Sequence, residues 1–278
     1  MGAKPKVKII GGSFLGHSKS MSLREDNANV SPTYFEWTDD YNADVPSVFY
    51  AGGSIRDSNL NQKHKNVAIL IEPPSLHPEN YEYVKEHHDK FHAVLTYSMD
   101  LLNAIPNGRF YPLGGSSIAF EDWGLYPKTK DVCMIVSEKD TMPGHKLRHQ
   151  IVESFSNQID FYGAGVGKPF DRKFDILKEY KFCVVVESED TALYFTEKLF
   201  DPISVGCFPI YNNFFTNNKL RTHLYVQHFE NIFNLKTELD RSINKTISNP
   251  ILAHNLYNAE RYRIAEDFIW TNYPELFT

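Results

Sequence analysis

A dense group of polar residues lies between two apolar runs near position 190 of the chain. The group consists of Glu187, Ser188, Tyr194, Thr196, Glu197 and Lys198. Thr196 can cap the helix predicted to follow it, and the free N–H groups of a helix start, together with Lys198, favour a phosphate. Glu187 and Glu197 can accept hydrogen bonds from ribose or sugar hydroxyls. A helix cap with a salt bridge would explain these residues one by one, but not their convergence at the end of one strand.

Other chemical motifs of the chain are weaker. The stretch 11–16 resembles a glycine-rich turn after a strand, but it does not match G-x-G-x-x-G, and His17 stands where a P-loop requires Lys. His88 and His92 are four residues apart on a predicted helix and could share one face, yet the sequence names no third ligand for a metal. A solvated helix face is the preferred interpretation, and no metal site is predicted.

Short apolar runs alternate with helical patterns, which is typical of an α/β fold with mostly parallel sheets. The predicted strands are 7–10, 47–50, 67–71, 93–96, 132–136, 160–162, 182–186 and 207–211, and the predicted helices are 80–92, 145–157, 170–179 and 196–205. The stretch 114–130 is rich in Gly, Ser, Pro and charge and suggests a domain boundary. We predict two Rossmann-like halves, 1–128 and 129–253, and a C-terminal helical segment, 254–278, that packs back across both halves or caps the second one.

Composition narrows the class of partner. The 278 residues include 29 Lys and Arg against 35 Asp and Glu, a net charge of −6, without a continuous basic block, so nucleic acid is not expected as a partner. No apolar stretch approaches the roughly 18–20 residues that cross a bilayer, and no signal peptide opens the chain, which favours a cytoplasmic location. The three cysteines lie in apolar runs, and we expect them to be buried and reduced.

The motif E-S-(x5)-Y-F-T-E-K-L, followed by an apolar helix and G-C-F-P-I-Y, resembles the donor motif of the α1,3/4-fucosyltransferase family of GT-B glycosyltransferases. Weaker similarities follow the family's order along the chain, at 71–74, 94–98, 136–137 with Arg148, and 160–163. The resemblance covers about residues 70–215 and is strongest at 187–211. Because the membrane anchor of the animal enzymes is missing, the chain is most similar to a bacterial or viral form.

This resemblance implies a GT-B enzyme with two Rossmann-like domains and a cleft between them, in which the N-terminal half binds the acceptor and the C-terminal half binds the donor. Such an enzyme moves a sugar from a nucleotide-diphosphate donor, here GDP-fucose as the first candidate, to a glycan hydroxyl. The reaction inverts the anomeric centre and requires no metal or other cofactor.

The family roles are carried over to the matching positions. Arg148 and Lys198 would neutralise the diphosphate, Tyr194 and Glu197 would hold the nucleoside or sugar, and Glu187 would orient the donor. Glu72 would be the general base that deprotonates the acceptor hydroxyl, since direct displacement requires one carboxylate. The remaining donor-binding candidates are Ser137, Tyr162, Gly163, Ser188 and Thr196.

Departures from the family pattern keep alternatives open. Ser188 and Glu138 each replace an Asn, and Pro73 replaces the Ser of E-S-P. The stretch 206–210 also resembles exostosin-like transferases, which allows a UDP-sugar such as UDP-xylose. The E-x7-E spacing of 189–197 is typical of retaining enzymes, but the distance from there to Gly206 is too long for that pattern. A carbohydrate-binding protein with an inactive transferase fold is the third hypothesis.

Overall fold

A computed structural model describes residues 3–12, 19–22, 30–40, 42–57, 60, 63–113, 115–189, 191, 193–212, 224–243 and 245–278. The chain divides into two compact units. Among the described residues, unit 1 comprises those within 1–23, 28–113 and 264–278, and unit 2 comprises those within 114–263. The chain therefore passes into unit 2 at the start of the glycine-rich stretch 114–130, and its last segment belongs to unit 1.

Unit 1 contains a six-stranded parallel sheet. Its strands are β1 (Lys6–Ile10), β2 (Glu36–Thr38), β3 (Ser47–Ala51), β4 (Lys65–Ile69), β5 (Ala93–Thr96) and β6 (Gly108–Phe110), in the spatial order β2-β1-β3-β4-β5-β6. Helices α1 (Pro78–His87) and α2 (Met99–Ala104) connect β4, β5 and β6. Phe49 and Tyr50 belong to different apolar clusters, because successive residues of a strand point to opposite faces of the sheet. Both faces of the sheet are thus covered, as the continuous apolar runs predicted.

Unit 2 contains a five-stranded parallel sheet. Its strands are β7 (Lys130–Ile135), β8 (Asp160–Tyr162), β9 (Tyr180–Val186), β10 (Phe208–Asn212) and β11 (Gln227–His228), in the order β11-β10-β9-β7-β8. Its helices are α3 (Pro143–Phe155), α4 (Lys173–Leu177), α5 (Glu197–Ser204), α6 (Ile232–Ser242) and α7 (Asn249–Ala259). Two parallel sheets with connecting helices confirm the predicted α/β class. All three cysteines are buried and free, as expected.

The C-terminal segment is not one continuous helix, which differs from the predicted crossing helix at 254–278. Helix α7 ends in unit 2, and α8 (Ala265–Asn272) lies in unit 1 after the extended residue Ile264. Ile269 and Phe277 pack into the core of the six-stranded sheet. Within the described ranges, the helices are too short or too polar to cross a bilayer.

Glu266 fixes this segment to unit 1. Its fully buried carboxylate accepts hydrogen bonds from Ser20 Oγ at 2.7 Å, Met21 N at 2.6 Å and Trp37 Nε1 at 3.0 Å. Burial raises the pKa of Glu266, and these three donors act in the opposite direction. A buried polar group whose hydrogen bonds are all made favours one packing of its surroundings. The segment 264–278 is therefore a fixed part of the layer that covers the six-stranded sheet.

Candidate functional site

A cavity of about 300 Å³ lies in unit 2 at the carboxyl ends of β7 and β9. Ligands bind at this edge in parallel α/β sheets. Five of the sequence-predicted donor residues line the cavity: Ser137, Arg148, Ser188, Glu197 and Lys198. The structure therefore brings together side chains that lie up to 61 positions apart in the sequence, from Ser137 to Lys198.

Helix α3 is held tightly against the end of β9. A Cβ atom on Gly144 would lie 1.7 Å from the Glu187 carbonyl oxygen, so this position requires glycine. One turn later, Arg148 donates from Nε and Nη2 to the Val186 carbonyl, at 3.1 and 2.7 Å. These contacts place the buried guanidinium at the cavity wall. Burial lowers the pKa of Arg148, but a guanidinium in a protein stays protonated.

Three further cationic or basic side chains line the same cavity: Lys139, His145 and Lys173. Buried His145 accepts a hydrogen bond at Nδ1 from the Met142 N–H, at 3.3 Å. Burial lowers its pKa, and the positive charges of Arg148 and Lys139 lower it further. Its neutral form therefore carries the proton on Nε2, which can donate to an anion. The excess of positive charge makes the cavity suitable for a di-anionic or tri-anionic ligand.

Helix α5 begins at the same edge. Thr196 caps it by accepting from the Lys198 N–H, which confirms the predicted cap. The Lys198 ammonium lies 3.0 Å from Thr196 Oγ1, 3.0 Å from Glu197 Oε1 and 3.9 Å from Glu187 Oε2. The loop before the helix contains Leu193 at φ +69°, an uncommon conformation for a branched side chain. A helix N-terminus with an adjacent ammonium is a favourable position for phosphate.

Glu197 is held in its ionised form. Burial opposes its ionisation, but the ammonium groups of Lys198 and Lys173 outweigh that effect and lower the pKa of Glu197 to about 2. An ionised carboxylate accepts hydrogen bonds and donates none. Glu197 is thus suited to hold the hydroxyl groups of a ribose or a sugar beside the cationic groups.

Lys173 is fixed by a buried carboxylate. Asp201 accepts hydrogen bonds from the Ser116 and Ser117 hydroxyls at 2.9 and 2.6 Å and from the Ser117 N–H at 2.7 Å. The Lys173 ammonium lies 2.6 Å from Asp201 Oδ2. This network holds the positive charge of Lys173 next to Glu197 and Lys198 at the cavity.

Glu187, predicted to orient the donor, is not among the residues that line the cavity. Its carboxylate is buried and accepts from the Thr196 N–H at 2.9 Å, the Thr196 hydroxyl at 2.8 Å and the Tyr211 hydroxyl at 3.1 Å. Burial raises the pKa of Glu187, and the charge of Lys198 acts in the opposite direction. The carboxylate therefore holds Thr196 at the start of α5, and Thr196 in turn contacts the Lys198 ammonium.

Replacement Glu187→Leu is expected to lower the free energy of unfolding by about 3 kcal/mol, because it removes the carboxylate that accepts hydrogen bonds from three buried donors. Glu187→Gln retains one acceptor oxygen, and we expect a smaller loss. Urea unfolding monitored by fluorescence measures both variants, with Glu153→Leu on the exposed face of α3 as the control. Equal stability of the Leu variant and the unchanged protein would contradict the supporting role.

Besides Glu187 and Thr196, three further predicted donor residues lie outside the cavity lining: Tyr162, Gly163 and Tyr194. The Tyr162 hydroxyl is 2.8 Å from that of Tyr180, which donates to Asp160 at 2.7 Å. Gly163, at φ +110°, packs against the Val136 carbonyl, where a Cβ atom would lie at 2.2 Å. Tyr194 is buried in the loop before α5. Contacts of these three residues with the donor stay predictions.

Glu72 lies in unit 1. It follows β4 by three residues and lines a cavity of about 230 Å³ together with His77 and Asn80. The Tyr81 hydroxyl donates to the Glu72 carbonyl at 2.8 Å and fixes its backbone. The exposed carboxylate is accessible to a substrate, which agrees with the requirements for a general base.

Helix α1 ends at His87, so His88 and His92 do not share a face of one α-helix as predicted. His92 Nδ1 accepts from the Asn66 N–H at 3.2 Å, which ties the loop before β5 to β4. Among the residues that the structure describes, no group of three or more His, Cys, Asp or Glu side chains is arranged to hold a metal ion.

Sequence reasoning missed Lys139, His145 and Lys173. His145 precedes Arg148 by three residues on a predicted helix, so their shared face was a usable signal. Lys139 lies two residues after Ser137 in the loop after β7. Lys173 comes from a separate part of the chain, and its place depends on the fold. Glu138, whose charge would oppose phosphate binding, is exposed and is not part of the lining.

Unit 2 is similar to a known protein family. Residues 125–246, most of unit 2, match the family model for the C-terminal part of glycosyltransferase family 10 (fucosyltransferase). The chain is 25% identical over 248 residues to alpha-(1,3)-fucosyltransferase B of Drosophila melanogaster, a match that includes 75% of this chain and 53% of that protein. The chain thus spans about half the length of this relative.

Two solved structures have a similar fold. An α1,3-fucosyltransferase with GDP is 13% identical, with a TM-score of 0.52 over 95% of this chain and 93% of that chain. The Anabaena protein Alr3699/HepE in complex with UDP and glucose is 10% identical, with a TM-score of 0.54 over 83% of this chain and 77% of that chain. Together, these comparisons show a GT-B fold for the chain and a similarity of unit 2 to the C-terminal part of the fucosyltransferase family.

Proposed function

We propose that the protein transfers a sugar from a nucleotide-diphosphate donor to a hydroxyl group of a glycan, with GDP-fucose as the first donor candidate. The cationic cavity of unit 2 is the main support, since Arg148, Lys198, Lys139 and Lys173 line it together with ionised Glu197. The match to the fucosyltransferase family over the same region supports the choice of donor.

In this proposal the diphosphate binds between Arg148 and Lys198. When the bond from the anomeric carbon to the phosphate oxygen breaks, the electron pair goes to the diphosphate, and its negative charge increases. Fixed cations that face this charge stabilise the transition state more than the ground state. The N–H groups at the start of α5 act in the same direction, and Glu197 holds hydroxyl groups of the ribose or sugar.

Glu72 would accept the proton of the acceptor hydroxyl as its oxygen forms the new bond to the anomeric carbon. A single displacement of this kind inverts the configuration of that carbon. Because cationic side chains can neutralise the leaving diphosphate, the proposal assigns no step to a metal ion.

Calorimetric titration of the purified protein with GDP, UDP, GDP-fucose and UDP-xylose tests the proposal. We expect GDP and GDP-fucose to bind at least about tenfold more tightly than the uridine compounds, a difference of roughly 1.4 kcal/mol. Binding of the uridine compounds alone would contradict GDP-fucose as the donor and indicate a transferase that uses a UDP-sugar. Binding of none of the four would contradict the proposed function and favour a carbohydrate-binding protein.

A further inference from the structure

The cavity of unit 1 is built from the carboxyl ends of three parallel strands. Gly11 and Gly12 follow β1, Gly52 follows β3 and Glu72 follows β4, and all four line the cavity. Loops at this edge of an α/β sheet are where ligands bind. The position alone makes this cavity a candidate site, separate from the donor cavity of unit 2.

Part of the cavity wall is formed by the backbone of glycine residues, which have no side chains. Gly11 has φ +76°, and a Cβ atom there would lie 2.2 Å from the Ala51 carbonyl oxygen. Gly52 has φ +54°. The Ser54 hydroxyl lies 2.8 Å from the Ile10 carbonyl and 2.7 Å from the Ala51 carbonyl, which fixes the two loops to each other. Glycines in a preformed turn allow a ligand to approach the backbone closely.

Asn80 supplies an unused hydrogen-bond acceptor in this wall. The side chain is 4% exposed, and its Oδ1 atom is buried and has no hydrogen-bond partner among the residues that the structure describes. Buried polar atoms of native proteins nearly always have a partner, because leaving one unpaired is unfavourable. This oxygen therefore gains a favourable partner if a ligand in the cavity brings a hydrogen-bond donor to it.

The remaining lining indicates the class of ligand. The side chains of Glu72, His77 and Asn80 are combined with apolar ones such as Ile55 and Ile71, and no Lys or Arg is among the described lining residues. A phosphate is therefore disfavoured, whereas neutral hydroxyl groups can donate hydrogen bonds, one to Asn80 Oδ1 and another to the Glu72 carboxylate. The volume of about 230 Å³ is below the roughly 300–1,000 Å³ typical of drug-sized ligands, and it suits one sugar ring.

We infer that Asn80 is a positioning residue for the acceptor: its Oδ1 atom accepts a hydrogen bond from a hydroxyl group of the saccharide ring that reacts at Glu72. This inference rests on the proposed transferase function. The Tyr81 hydroxyl, on the residue after Asn80, holds the Glu72 backbone at 2.8 Å. Helix α1 thus carries Asn80 and also holds the backbone of Glu72, and both residues line the same cavity, so we expect one ring to contact both.

The test uses the full chain, labelled with ¹⁵N and saturated with GDP. The probes are the methyl glycosides of β-galactose, α-mannose, β-N-acetylglucosamine and β-xylose, and the readout is the NMR signal of the Asn80 side-chain amide. We expect at least one glycoside to shift this signal in a saturable manner. Asn80→Leu should weaken that glycoside's binding at least about tenfold, while Asn80→Asp, which keeps an acceptor oxygen, should bind more tightly than the Leu variant.

Asn103→Ala, an exposed change in unit 1, is the matched control and should bind the glycoside like the unchanged protein. Thermal unfolding of the Leu variant should be unchanged or shifted upward, because the variant removes an unpaired buried oxygen. Bound GDP with no glycoside shifting the Asn80 signal would overturn the inference and leave the donor site intact. Unchanged glycoside affinity in Asn80→Leu would also overturn the inference and leave the donor site intact. Failure of GDP itself to bind would contradict both the inference and the proposed function.

Discussion

Lys198→Met is expected to weaken GDP binding by about 2–4 kcal/mol, because a buried, charge-assisted hydrogen bond to phosphate is lost. The same change removes one of the two ammonium groups that lower the pKa of Glu197, and the less neutralised carboxylate then repels the phosphate, which adds to the loss. Isothermal titration of GDP measures the effect. Lys236→Met on α6, which removes an exposed ammonium paired with Asp240 at 2.6 Å, should leave the affinity unchanged.

Arg148→Met should weaken GDP binding to a similar extent, and it should also destabilise unit 2. The second effect arises because the guanidinium donates two hydrogen bonds to the Val186 carbonyl. Lys198 is thus the more direct probe of phosphate binding. If Lys198→Met and Lys236→Met bind GDP with equal affinity, the phosphate does not lie at the start of α5.

Glu72→Gln is expected to lower turnover by about 10²-fold or more while GDP affinity is unchanged, since the amide has the size of the carboxylate but cannot accept the proton. The measurement combines steady-state kinetics of nucleotide release with titration of GDP. Glu82→Gln, an exposed change on α1, is the control. If the turnover of Glu72→Gln equals that of the control variant, Glu72 is not the general base.

The longer strands of the fold were predictable from the sequence. Strands such as β3, β7 and β9 contain continuous apolar runs because both faces of each sheet are covered, and such runs are visible in the sequence alone. Strands β2, β6 and β11 contain three, three and two residues, too few to give a periodic signal. Helix α6 was missed although Leu235 and Leu239 are four residues apart and Asn231 caps it.

The candidate site was predictable in part. Lys198 was predictable from the polar group at a helix start, and Arg148 from the family resemblance, and both line one cavity. Glu187 shows the limit of such reasoning, since a carboxylate at a strand end can contact a ligand or support a helix, and the distinction depends on which donors surround it. Lys173 is positioned by a network that includes Ser117 and Asp201, and no spacing in the sequence indicates this contact.

The account depends on where a nucleotide binds. A crystal structure of the protein with GDP is the most direct test, because it locates the diphosphate independently of any activity. We predict phosphate oxygens within hydrogen-bond distance of the Lys198 ammonium and of the Arg148 guanidinium, in the cavity at the carboxyl ends of β7 and β9. GDP bound anywhere else, with this cavity free of nucleotide, would contradict the account.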